Sequence, residues 1–225
     1  GVHRNTVSGR WVLTWKVVDK KDVPRYAHDL TFDPSGLRRA KARYVLRGFQ
    51  DGAKNDVDTA SPTCSQSALY CALGWATSFG WTIASGDIST AFLRGKPMGG
   101  ERHVQVWPPV EAKCADNVVW ELRRAAYGLV DAPLRWYQAL RAACERLGAV
   151  FSDLDPGIFI MPAHKDLEAD AIIKDLPRDH ISRFRIDPRA VGGVVAVHVD
   201  DLLFLGTLRF QSELVKAIRE RMPFG

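Results

Sequence analysis

Alternating polar and apolar positions near the start of the chain predict β-strands. Residues 38–49 (RRAKARYVLRGF) follow a two-residue period, residues 11–21 (WVLTWKVVDKK) form a second strand-like segment, and a turn signal at 32–36 (FDPSG) separates them. One face of the later strand carries Lys41, Arg43, Val45 and Arg47. The pattern therefore predicts an antiparallel hairpin with one basic face.

Helical spacing replaces this alternation in three later segments. Residues 65–80 start with a serine and stop at a glycine, residues 131–148 start with Asp131 and stop at a glycine, and residues 207–222 form the last helix. Short strands are predicted at 81–87, 103–109, 118–124, 155–161 and on both sides of the tip of 194–206. This mixed order predicts the α+β class, with helices on one face of an antiparallel split-βαβ sheet from residue 81 onward.

Two adjacent carboxylates interrupt the most apolar stretch of the chain, residues 194–206 (VVAVHVDDLLFLG). A buried carboxylate without a partner is unfavourable, so Asp200 and Asp201 require a surface turn, a basic side chain or a metal ion. A third carboxylate, Asp87, ends the strand at 81–87. In a split-βαβ sheet this strand lies beside the hairpin, and three carboxylates at one edge would suit Mg²⁺.

Each of these motifs also has an ordinary structural interpretation. An Asp-Asp pair at a hairpin tip is most often only a turn. An aspartate after a strand, as in the segment GDIST, is most often a helix cap. Neither motif indicates a function by itself.

Composition and charge narrow the possibilities further. The chain has 225 residues and a net charge of +5, and its apolar fraction of 46% is typical of globular proteins. Residues 1–55 contain 12 Lys/Arg and 5 Asp/Glu, so this quarter has a charge of +7 and the remainder −2. A phosphate-facing subdomain attached to a metal-binding one would give this distribution, although a solvated basic surface is the simpler explanation. No apolar run approaches the roughly 20 residues that span a bilayer, and the four cysteines form no CxxC pair.

Five ordered segments resemble the reverse transcriptase domain of copia-type LTR retrotransposons: KARYVLRGF, TASPTCS, GDISTAFLRG, AAYGLVDAPLRWY and HVDDLLFLG. The resemblance implies a right-hand polymerase fold, with a fingers-like subdomain at 1–80 and a palm-like subdomain at 81–225, and with fingers elements returning at about 105–135. It also implies RNA-directed DNA polymerase activity on an RNA or DNA template with a primer. The reaction would use deoxynucleoside triphosphates and two Mg²⁺ ions, or Mn²⁺ in their place.

The same resemblance assigns roles to individual residues. Asp87, Asp200 and Asp201 become the metal-binding catalytic carboxylates, and Phe92 takes the place of the aromatic ring that rejects a 2′-hydroxyl. The nucleotide-binding positions are Lys41, Arg43, Arg47, Phe92, Tyr127 and Gly128. Trp136 is interpreted as a core residue.

Three features depart from the family pattern. His198 stands where the family usually has tyrosine, Val130 and Asp131 replace a basic and an amide residue and reduce the template-side charge, and the segment 162–193 is longer than the family needs. These departures leave a second hypothesis open, a degenerate or adapted copy that binds nucleic acid without catalysis. A third is another split-βαβ metalloenzyme acting on nucleotides, such as a cyclase.

The resemblance also implies neighbours that these residues do not include. Copia-type polymerases continue into a thumb and an RNase H domain, within a polyprotein that also contains integrase, and they act in cytoplasmic virus-like particles and in the nucleus, without a membrane. We therefore expect weak, distributive synthesis or none from residues 1–225 alone, and we expect the natural downstream segment to restore it. We also expect the apolar face of the last helix, formed by Phe210, Leu214 and Ile218, to have lost part of its cover.

Overall fold

The computed structural model describes residues 5–26, 28–100, 102–162 and 191–221. Within these ranges the strands are β1 (Thr6–Val7), β2 (Gly9–Val17), β3 (Phe32–Asp33), β4 (Arg38–Leu46), β5 (Thr82–Asp87), β6 (Gln105–Val106), β7 (Trp120–Glu121), β8 (Val150–Phe151), β9 (Ile158–Pro162), β10 (Val191–His198) and β11 (Asp201–Gly206). The α-helices are α1 (Gln66–Ser78), α2 (Ala132–Arg146) and α3 (Leu208–Arg221). This mixture agrees with the predicted α+β class. The segment 162–193, which is longer than the family pattern needs, lies outside the described residues except for residues 162 and 191–193.

The chain consists of two compact units. The first consists of residues 1–57 and 97–132, and the second of residues 58–96 and 133–225. The fingers-like and palm-like subdomains at 1–80 and 81–225 stay a prediction, and by internal packing α1 belongs to the second unit. The reason is that α1 packs on the sheet of the second unit, where its buried alanines contact the apolar cluster of β10 and β11.

The first unit contains the predicted basic hairpin. Strands β2 and β4 pair antiparallel over nine residues each, and β3 extends this sheet beside β4. The strand expected at 11–21 ends at Val17, since a 3₁₀ helix with an internal proline occupies Lys20–Tyr26. A second small sheet joins β1, β6 and β7. The hairpin prediction is confirmed, with a shorter first strand.

The second unit is built on a five-stranded antiparallel sheet in the order β5-β11-β10-β9-β8. Helices α2 and α3 pack on one face, against Val195 and Val197, and α1 packs on the other face, against Val194 and Ala196. The expectation of helices on one face only is therefore wrong. Cover on both faces explains why β10 is a continuous apolar run rather than an alternating one.

The apolar face of α3 is fully used inside the second unit. Phe210, Leu214 and Ile218 are 8%, 4% and 2% exposed. Glycines provide the space for the first ring, because a Cβ at Gly193 or Gly206 would lie 2.2 Å from a Phe210 ring carbon. The expectation that this face had lost part of its cover is therefore wrong.

Among the described residues, no helix combines the length and the apolar character that crossing a membrane would require.

Candidate active site

Strand register brings the predicted carboxylates to one end of the five-stranded sheet. Asp87, the last residue of β5, is directly opposite Asp201, the first residue of β11. Asp201 in turn is opposite His198 of β10, so Val199 and Asp200 form a two-residue turn. Directly opposed residues in antiparallel strands have Cβ atoms about 5 Å apart. The adjacency expected for a split-βαβ order is therefore present in the backbone.

The turn itself has an unusual conformation. Val199 has a φ of 58°, in the left-handed region, which for a β-branched residue costs on the order of 1–3 kcal/mol. Two hydrogen bonds reach the turn from outside the hairpin. The Ile88 N–H donates to the Asp200 carbonyl at 3.1 Å, and the Trp136 Nε1–H donates to the Val199 carbonyl at 2.7 Å.

Solvent exposure shows how charged carboxylates are accommodated next to the apolar stretch 194–206. Asp87 and Asp201 are exposed and Asp200 is half-buried, whereas Val197 and Leu202 in the flanking strands are each 1% exposed. The carboxylates lie at the ends of the apolar strands, where a surface turn leaves their charges in contact with solvent. Of the three explanations that the sequence left open, this exposure supports the surface turn, and the binding of a metal ion stays a prediction.

The chemistry of the three side chains still suits a divalent ion. Carboxylates are hard oxygen donors of the kind Mg²⁺ prefers, usually together with waters and substrate phosphates. In the part of the chain that the structure describes, no three His, Cys, Asp or Glu side chains are gathered in an arrangement that could hold an ion. The residues thus fit a magnesium site by identity and by adjacency on the sheet, without their side chains being arranged around a common point.

Phe92 lies in the same unit as the carboxylates. It belongs to a 3₁₀ helix at Ala91–Arg94 that follows β5, preceded by Thr90 with a left-handed φ of 55°. The ring is half-buried and packs against the core cluster that contains Ile88 and Trp136. Trp136 is itself 1% exposed, which confirms its interpretation as a core residue.

The basic residues of β4 belong to the first unit. Lys41 and Arg43 are half-buried on one face of the β2–β4 sheet, while Arg47 lies one residue beyond the strand, is exposed and donates to the Ser8 hydroxyl at 3.3 Å. The opposite face of the sheet is apolar and exposed. Its large residues are Trp11, Leu13, Trp15 and Val17.

Tyr127 and Gly128 lie against the end of β4. The Leu46 N–H donates to the Tyr127 carbonyl at 2.7 Å. Gly128 has a φ of 98°, and a Cβ there would lie 2.0 Å from the Leu46 carbonyl oxygen. A Cβ at Gly48 would similarly lie 2.0 Å from the Gly128 carbonyl oxygen. Both glycines are therefore required by a close crossing of two backbone segments, a role that the sequence motifs did not reveal.

A buried ion cluster in the first unit was missed by sequence reasoning. The Arg102 guanidinium donates to Asp51, with one contact at 3.0 Å, and to Asp131 at 3.2 Å, and these two aspartates are 1% and 2% exposed. Burial alone would raise the pKa of Asp51, but hydrogen bonds from Arg102 and Asn5 outweigh it and hold this pKa below its usual value. Asp131 therefore does not alter a template-facing surface, as the sequence suggested, because its carboxylate is inside the unit.

Comparison with known proteins gives a consistent family. The sequence model of the family described as "Reverse transcriptase (RNA-dependent DNA polymerase)" matches residues 3–166. The retrovirus-related Pol polyproteins from transposons RE1 and RE2 of Arabidopsis thaliana are each 31% identical, over 73% and 69% of the chain. The Pol polyprotein from transposon TNT 1-94 of Nicotiana tabacum is 31% identical over 45% of the chain. No solved structure matches.

These matches have a limited extent. They cover 10%, 10% and 8% of the three polyproteins, so the chain spans about a tenth of their length. The family match includes Asp87 and the Tyr127–Gly128 segment but stops at residue 166, ahead of the hairpin that carries Asp200 and Asp201.

Proposed function

The chain belongs to the reverse transcriptase (RNA-dependent DNA polymerase) family, as a copia-type member, and from that premise we propose that it synthesises DNA on a nucleic-acid template. One observation carries the proposal. Asp201 is opposite Asp87 in the sheet, although Asp201 lies outside the residues that match the family and Asp87 lies inside them. In a decayed copy, no selection would maintain a carboxylate at each of these positions and a third in the turn beside them.

In the proposed reaction the 3′-hydroxyl of a primer attacks the α-phosphorus of a deoxynucleoside triphosphate. A phosphodiester bond forms, the bond to the β-phosphate breaks, and pyrophosphate leaves. Two bound Mg²⁺ ions, or Mn²⁺, would supply activation of the hydroxyl and charge stabilisation of the leaving group. Asp87, Asp200 and Asp201 would hold these ions through their carboxylate oxygens.

Other residues would select and hold the nucleotide. Lys41, Arg43 and Arg47 provide positive charge for the triphosphate, and the ring of Phe92 would exclude a 2′-hydroxyl by its volume. Tyr127 would lie on the nucleotide and template side. Gly128 shares that assignment, but the close backbone crossing already accounts for it.

The relatives suggest the setting in which the chain works. Each is a Pol polyprotein, so we propose that this domain acts within such a polyprotein, together with integrase, thumb and RNase H regions. Its template would be RNA or DNA with an annealed primer. Its location would be cytoplasmic virus-like particles, and also the nucleus, where the DNA product integrates.

Primer extension tests the proposal directly. Asp87→Asn and Asp200→Asn should abolish Mg²⁺-dependent extension of a DNA primer on an RNA template, and Asp201→Asn should leave a residual rate, because each change removes a metal ligand and transition-state charge stabilisation. Asp116→Asn is the matched control, since Asp116 is exposed in the loop between β6 and β7. Extension that survives Asp87→Asn would overturn the assignment. Tight primer–template binding without extension, even with the natural downstream segment present, would favour the adapted copy without catalysis.

A further inference from the structure

The tip of the carboxylate hairpin is held by the helix that follows the YGLVDAP segment. Trp136 of α2 is 1% exposed, and its indole Nε1–H donates to the Val199 carbonyl at 2.7 Å. That carbonyl belongs to the peptide that joins Val199 to Asp200. A buried side chain of the core therefore holds a peptide that directly precedes Asp200.

The turn contains an unfavourable backbone conformation that its surroundings must stabilise. Val199 adopts a left-handed φ of 58°, a conformation that β-branched residues avoid. Strained backbone of this kind persists where the surroundings over-determine it. Besides the pairing of His198 with Asp201, two hydrogen bonds support this turn: the Ile88 N–H donates to the Asp200 carbonyl, and the Trp136 Nε1–H donates to the Val199 carbonyl.

We propose that Trp136 is a positioning residue for Asp200, which it orients through the Val199 carbonyl. The inference rests on the proposed function for its catalytic consequence, but the holding of the turn is a property of the fold. Indole is a donor without acceptor capacity, so it matches a carbonyl. Phenylalanine at this position would fill most of the space and leave the Val199 carbonyl without this donor.

Two variants and one matched control separate the hydrogen bond from the packing. Trp136→Phe removes the donor and some volume, whereas Trp136→3-benzothienylalanine replaces only the N–H by sulfur and keeps the bicyclic ring. Tyr137→Phe is the control, because the neighbouring Tyr137 hydroxyl also donates from α2 to a backbone carbonyl, that of Pro156, at 2.8 Å. Pro156 lies outside the hairpin.

Amide hydrogen exchange at residues 198–202, followed by NMR, tests the holding of the turn without requiring activity. Both Trp136 variants should accelerate exchange there by about tenfold, which corresponds to one lost hydrogen bond of about 1.4 kcal/mol, and Tyr137→Phe should leave it unchanged. Unchanged exchange in the benzothienylalanine variant would overturn the inference, whether or not the chain polymerises DNA.

The catalytic consequence has its own measurement. The benzothienylalanine variant should extend primers about tenfold more slowly and should require more Mg²⁺ for half-maximal rate, while Tyr137→Phe behaves as the unaltered chain. Combining it with Val199→Asn should shrink the loss, because asparagine tolerates a left-handed φ and needs less support. A normal rate with normal Mg²⁺ dependence would refute the positioning role. Absence of extension even with the natural downstream segment present would instead refute the proposed function, and the exchange result would then decide whether Trp136 holds the turn.

Discussion

Replacing Arg102 with methionine should invert the pH dependence of the first unit's stability. Methionine keeps much of the volume of the side chain and removes its charge. Asp51 and Asp131, which Arg102 contacts and which are 1% and 2% exposed, would then be two buried carboxylates without this cation. Removing one partner of a buried ion pair is strongly destabilising, because the remaining charge stays desolvated.

The loss of stability can be estimated from the free energy of protonating each buried carboxylate. An aspartate that cannot remain charged in the folded state takes up a proton. At pH 7, with an unfolded pKa of about 3.9, this costs about 4 kcal/mol. That value agrees with the loss of about 3–5 kcal/mol measured when a buried pair is broken. It is a large part of the 5–15 kcal/mol that stabilises a typical domain.

The sign of the pH dependence separates the two proteins. In the unaltered chain the pKa of Asp51 is lowered, so its contribution to stability is present above the unfolded pKa and is lost as the pH falls through the folded pKa. In Arg102→Met the folded pKa values are raised, and the folded state binds more protons than the unfolded state. Its stability should therefore rise on acidification from pH 7 to pH 5, by up to about 1.4 kcal/mol per pH unit for each carboxylate.

Urea unfolding at pH 5, 6 and 7, monitored by circular dichroism, measures these free energies. Groups that titrate alike in both proteins cancel in the difference between them. Lys21→Met is the control, because the Lys21–Asp19 pair is exposed, with its charged atoms 3.7 Å apart. It should change stability little at every pH. Parallel pH profiles for Arg102→Met and the unaltered chain would show that the cluster is hydrated, and the reasoning would be refuted.

Three further predictions concern single residues. Gly128→Ala should destabilise the chain by more than about 3 kcal/mol, because its Cβ would meet the Leu46 carbonyl. The control Gly80→Ala should lower the free energy of unfolding by only about 1–2 kcal/mol, because Gly80 has a φ of 61° and nothing lies within 4 Å of its Cβ. Equal losses in urea unfolding would contradict the close-crossing argument. Phe92→Ala should incorporate ribonucleotides more readily, and an unchanged ratio of deoxy- to ribonucleotide incorporation would mean that the ring only packs against the core. Arg43→Ala should raise the KM for nucleotide more than it weakens primer–template binding, and the reverse pattern in steady-state kinetics and filter binding would mark β4 as a backbone-phosphate contact.

Local patterns predicted the local elements well. Alternation in the segment 38–49 located β4, and the start signal at Ser65 is realised in the structure, where its hydroxyl accepts from the Ala68 N–H at 3.2 Å. Such signals depend on neighbours within a few residues, so the sequence contains them directly. The pairing of β5 with the hairpin was also expected, because the fold class limits where the first strand of a split-βαβ sheet can lie.

Long-range partners could not be read in the same way. Asp131 was interpreted through its neighbours in the segment YGLVDAP, but its environment is set by Arg102, 29 residues upstream. The exposed positions of Asp87 and Asp201 depend on where two apolar strands end relative to each other. The glycine at position 128 is explained by the backbone of Leu46, which is 82 residues earlier in the chain (128 − 46). Each of these facts is a tertiary contact, for which no periodicity exists along the sequence.

The pairing of β5 with β11 means that β5 is synthesised long before its partner strand. Among the described strands β5 pairs only with β11, and Asp201 is made 114 residues after Asp87. At about 5–20 residues per second this separation lasts roughly 6–23 s. Throughout that interval β11 has not been translated, so the backbone hydrogen-bonding groups of β5 lack this partner strand and could pair with other chains. A product that ends between residues 167 and 199 would contain every residue that matches the family model, and it would lack Asp200 and Asp201.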